Sequence, residues 1–75
     1  MHKILDLNKT VYELSTIDSD IPKILETIGF SDITKPGMIT TVGRFMTIPK
    51  GAQAKKIELE LIKQEFIIKG YEIKE

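Results

Sequence analysis

The sequence has no cysteine and a single histidine. Without thiols there is no disulfide, no thiolate metal site and no thiol redox chemistry, a composition that fits a reducing compartment. His2 stands alone near the amino terminus. A metal site needs three or four converging ligands, and no His-rich or paired-carboxylate spacing accompanies it, so neither a metal nor a cofactor is expected. No Ser-His-Asp set exists beyond His2, and Lys50-Gly51-Ala52 lacks the rest of a phosphate-cradling loop. An enzyme is therefore not expected. Long apolar runs are also missing: none approaches the ~20 residues of a membrane span. The start, MHKILDLNKT, is too charged and too briefly apolar for a signal peptide. The expectation is a cytoplasmic protein that does not engage membranes. Eleven basic residues balance eleven acidic ones, and aromatics are few, so no net charge draws the chain as a whole to nucleic acid.

What is present is a folding composition spread over residues 1–75, read as one small helical domain. A core of this size supplies only ~3–5 kcal/mol, so packing must be tight or a partner subunit must help. Thr10-Val11-Tyr12-Glu13 predicts a capping box opening a helix over 10–16, with Val11 and Leu14 inward. Asp18-Ser19-Asp20 offers caps for a second helix over 19–29. There Ile21, Ile24, Leu25 and Ile28 repeat at i, i+3, i+4, i+7. Pro22 is tolerated in its first turn, and Gly29 ends it with Phe30 folding back.

Met38, Val42, Phe45 and Met46 keep a helical period, which predicts a third helix over 37–46. Gly43 within it suggests a close backbone approach. Thr47-Ile48-Pro49 reads as a stop and a fresh start, followed by a single weak turn over 50–53. Leu59, Ile62 and Phe66 face the core of a last helix over 58–69, closed by Gly70. The expected core is Val11, Leu14, Ile21, Ile24, Leu25, Ile28, Val42, Phe45, Leu59, Ile62 and Phe66. The expected fold is mainly all-α, a compact array of four to five short helices. Residues 71–74 have the composition to pair with Ile4–Asp6 as a minor two-stranded addition joining the chain ends.

Two surfaces stand out. Ile33 to Ile57 contains no carboxylate but carries Lys35, Arg44, Lys50, Lys55 and Lys56. Such a cluster suits phosphates of nucleic acid, a small anionic ligand or an acidic protein face, or else is plain solvated surface. Phe45 is its only aromatic, and its helical phase assigns it to the core rather than to base stacking. Arg44 either forks onto a carboxylate or phosphate, or ties internally to a helix carbonyl, Glu13 or Asp32. The second surface is on the last helix, where Leu61 and Ile68 point away from the buried stripe with Glu65 between them. This patch, with Ile67 at its edge, predicts a homodimer or a docked partner helix. The alternative is that Ile4 or Ile73 covers it.

Taken together, Thr10-Val11-Tyr12-Glu13-Leu14, the ending Ile28-Gly29-Phe30, Asp32-Ile33-Thr34-Lys35-Pro36, Thr40, Thr41-Val42-Gly43-Arg44 and Lys69-Gly70-Tyr71-Glu72 resemble a family. It is a family of small bacterial domains of unknown function, related to the ScdA amino-terminal domain and to the hybrid-cluster-protein-associated redox disulfide domain. The chain is most similar to its longer, cysteine-free branch. The resemblance implies a compact helical array and an accessory, sensing or interaction role. Redox members carry cysteine just after the Gly-Phe or Gly-Ile step, where this chain reads Phe30-Ser31-Asp32-Ile33, so the disulfide chemistry is not implied here.

Overall fold

The computed structural model describes residues 3–75; His2 lies outside the described residues. The elements run β1 (Lys3–Asp6), α1 (Val11–Ile17), α2 (Asp20–Ile28), a 3-10 turn at Val42–Arg44, α3 (Ile48–Lys55), α4 (Leu59–Ile68) and β2 (Tyr71–Lys74). Four helices thus accompany one two-stranded parallel sheet, a mixed but predominantly helical architecture. The register pairs Lys3 with Tyr71 and Asp6 with Lys74. Parallel neighbours need a crossover, and here all four helices form it. Leu5 and Tyr71 turn inward from the two strands, while Asn8 Nδ2 donates to the Glu75 carbonyl and Lys63 meets Glu75 at 3.0 Å.

The capping box forms as its spacing predicts. The Glu13 N–H donates to Thr10 Oγ1, and the Thr10 N–H donates back to Glu13 Oε1. That backbone donor holds the Glu13 carboxyl below its ordinary range. Helix α2 buries Ile21, Ile24 and Leu25, with Ile28 partly covered. Its carboxyl end closes on Gly29, at φ 139°, where the N–H groups of Gly29 and Phe30 both donate to the Leu25 carbonyl. This reversal turns Phe30 fully inward.

The third helix is displaced from its expected place. Residues 37–46 form successive turns, and the α-helix lies at Ile48–Lys55, in place of the single turn expected over 50–53. The cause is local competition and a distant contact acting together. Thr40 and Thr41 hydroxyls both donate to the Gly37 carbonyl, beside the Thr41 N–H, side-chain bonds of the kind that compete with a continued helix. The Met46 carbonyl accepts from the Val11 N–H at 2.8 Å, and Thr10 bridges to Thr47. Met46 is thereby pulled out to meet the start of α1. Gly43 is buried in this crossing: a Cβ there would lie 3.5 Å from the Tyr12 nitrogen and 3.6 Å from the Met38 oxygen, the close backbone approach its position suggests.

Two expected core residues are consequently outside it. Val42 is 45% and Phe45 is 80% exposed. Their places are taken by Phe30, Ile33, Ile48 and Ala52, which join Leu5, Leu7, Tyr71 and the buried residues of α1, α2 and α4. Of the remaining expectations, Val11, Leu14, Ile62 and Phe66 are buried, and Leu59 packs against the core from its edge. Helix α3 starts with the Thr47 side chain accepting from the Lys50 N–H and with Pro49 in its first turn.

Candidate functional site

The carboxylate-free segment folds into the turns at 36–46 and helix α3, and its five cations do not converge on one point. Lys35 and Lys55 both reach Asp32, at 3.1 and 3.7 Å. These contacts hold the Asp32 carboxyl below its ordinary range, the Lys35 hydrogen bond first among the causes. Arg44 makes its contact within the chain with an aromatic ring. Its guanidinium lies 4.6 Å over the Tyr12 ring, a cation–π contact that leaves it exposed. Lys50 and Lys56 are exposed on and just after α3.

Between the turns and α3 opens a cleft of about 300 Å³. Ile33, Met38, Val42, Met46, Gly51 and Ala54 form its walls, with Asp32 and Lys55 at its polar side. The apolar side chains that a helix over 37–46 would have buried thus line a surface cleft instead. Phe45 stands out from the chain immediately after the Val42–Arg44 turn. Methionine thioethers adapt to irregular surfaces, so this cleft can accept an aliphatic or aromatic side chain without a rigid shape match.

The second surface lies on α4. Ile62 and Phe66 are buried, whereas Leu61, at 53%, and Ile68, at 76%, stand exposed on the other side with Ile67 beside them. Leu61, Gln64, Glu65 and Ile68 border a groove of about 530 Å³ whose other wall is Thr27 and Ile28 of α2. The described chain ends do not cover it: Ile4 sits beside Leu14 and Ile17, and Ile73 packs against the core. Among the described residues, no three His, Asp or Glu side chains come together as a metal site requires.

One polar contact had no signal in the sequence. Tyr71 donates its hydroxyl to Asp18 Oδ2 at 2.6 Å across a separation of 53 residues, and its ring meets Phe66 edge-on at 5.1 Å. The Tyr71 hydrogen bond holds Asp18 below its ordinary carboxylate range. Burial, then the Asp18 contact, raises the Tyr71 phenol above its own range. Lys3 lies 5.3 Å over the same ring, and Lys3, Lys23 and Lys69 share the hollow above it. Only folding brings these lysines near one another.

Tyr71→Phe is expected to lower stability by about 1 kcal/mol, read by urea denaturation. A depressed carboxylate stabilises the fold fully above its unfolded pKa, near 4, and loses that contribution as pH falls through the folded value. The parent should therefore weaken below about pH 4 and the variant should show a shallower acid limb. An identical acid limb would mean that the contact does not hold Asp18 in solution.

Residues 5–63 match the family described as Domain of unknown function (DUF1858). No curated protein matches the chain. Among solved structures, the chain is similar to the conserved domain protein from Streptococcus pneumoniae TIGR4, with 27% identity and a TM-score of 0.91. That match covers 97% of this chain and 92% of the other. No helix among the described residues is long and apolar enough to cross a membrane.

Proposed function

The chain belongs to the DUF1858 family of domains of unknown function, and on that premise we propose that it is a non-catalytic docking module. The cleft between the 36–46 turns and α3 receives an acidic, apolar-bearing segment of another protein. The observation that carries this reading is Phe45, 80% exposed within a stretch that holds five cations and no carboxylate. An aromatic left in solvent, next in the chain to the Met46 wall of an apolar cleft, is a contact surface without its partner. The surrounding charge selects the partner's sign. The kinship to the ScdA amino-terminal domain, read from the Thr41-Val42-Gly43-Arg44 block, belongs to the same proposal and agrees with an accessory role.

Nucleic acid or a small phosphate ligand is the competing occupant of the same cations. Pairing of Lys35 and Lys55 with Asp32 argues for a protein, because phosphate binding needs unneutralised cations. The test is an NMR titration with a short peptide alternating Glu with Leu and Phe. Shifts should centre on Met38, Val42, Phe45 and Ala54, and Phe45→Ser should weaken binding about tenfold or more. Added salt should weaken it only a few-fold, since apolar contact dominates. Binding of duplex or single-stranded probes with a steep salt dependence would replace this reading with the nucleic-acid one. Peptide shifts elsewhere, or none, would end it.

A further inference from the structure

We propose that α4 joins two copies of this chain across the groove it makes with α2, a contact independent of the docking cleft. Leu61, Gln64, Glu65 and Ile68 stand at i, i+3, i+4 and i+7 on the exposed side of α4, which is one continuous stripe. Its pattern is self-complementary. In an antiparallel crossing about a two-fold axis between residues 64 and 65, Leu61 meets Ile68 of the partner subunit, and Gln64 meets Glu65 of the partner subunit. Each pair occurs twice, as an isologous interface demands. Glu65 contacts Lys69 only at 3.9 Å, beyond hydrogen-bond length, so its oxygens can still accept from the Gln64 amide.

Charge favours a second copy over another partner. The segment around the docking cleft carries five cations and no carboxylate, so two such faces repel. The α4 stripe instead carries one carboxylate with Lys69 beside it, and two copies meet without net repulsion. The face is small: ten residues of helix span roughly 15 Å, less than a high-affinity interface uses. The dimer is therefore weak and concentration-dependent.

Sedimentation should show monomer near 10 µM and a mass rising towards dimer near 1 mM, roughly the range that a contact of this size allows. Leu61→Glu and Ile68→Ser should both stay monomeric at the higher concentration, with melting temperatures close to the parent's. Gln64→Lys should tighten the dimer about threefold to tenfold by placing an ammonium opposite Glu65 of the partner subunit twice. Gln64→Glu should loosen it by a similar factor. A parent that is monomeric throughout, or a dimer that survives both apolar variants, overturns the interface. A Gln64→Lys dimer no tighter than the parent overturns the antiparallel register. None of these outcomes bears on peptide binding at the cleft.

Discussion

Phe30→Ala is expected to leave the protein largely unfolded at 25 °C, whereas Phe45→Ala should melt as the parent does. Phe30 is fully buried at the turn after α2, and the ring lies directly under Gly51 of α3. Truncating a buried phenylalanine costs about 3–5 kcal/mol, the lost transfer energy plus the cavity. A core of this size supplies about that much in total, so the loss is not a partial one. Phe45 makes the comparison informative, because the helical period assigned it to the core while the fold leaves it in solvent. Its truncation should change stability by less than about 0.5 kcal/mol. Urea denaturation followed by circular dichroism reads both. A Phe45 variant as unstable as the Phe30 variant would mean that Phe45 is covered in solution.

The next largest effect is expected at Gly51, where adding one methyl group destabilises a helix it ought to help. In isolation, alanine is about 1 kcal/mol better than glycine within a helix, and Gly51 made α3 look weak in the sequence. The fold reverses that judgement. A Cβ at Gly51 would lie 2.5 Å from Phe30 Cε2 and 2.9 Å from Met46 Sδ. Phe30 is enclosed on all sides, so its ring has nowhere to retreat. Overpacking of this kind costs about 3 kcal/mol, which outweighs the helical gain and leaves a net loss of about 2 kcal/mol. Gly51→Leu should not fold. Gly37 is the control: a Cβ there meets nothing within 4 Å, and only its φ of 81° resists substitution. Equal or higher stability of Gly51→Ala in thermal melts would show that α3 can move off Phe30.

The parts of this structure legible from sequence are those decided within a few residues. The Thr10–Glu13 box closes within four residues, so its spacing suffices to predict it. The stripe of α2 is equally local, as is the closure at Gly29. The split of α4 into a buried face with Ile62 and Phe66 and an exposed face with Leu61 and Ile68 follows from its period alone. Pairing of the chain ends was readable as composition, though its parallel direction was not.

Tertiary structure decided the rest. A helical period at Met38, Val42, Phe45 and Met46 states only which side chains would share a face if a helix formed. It cannot show that Val11 takes the Met46 carbonyl, or that Phe30 and Ile48 already fill the space this face would need. Likewise the segment's five cations were countable, but their partial neutralisation by Asp32 and the stacking of Arg44 on Tyr12 depend on chain crossings. The Tyr71–Asp18 contact joins residues 53 apart in the chain. Caps and periods are set by bonds between near neighbours, which the sequence by itself determines. Which apolar face is buried and which is left for a partner depends on competition for one small interior, and only the folded chain settles that competition.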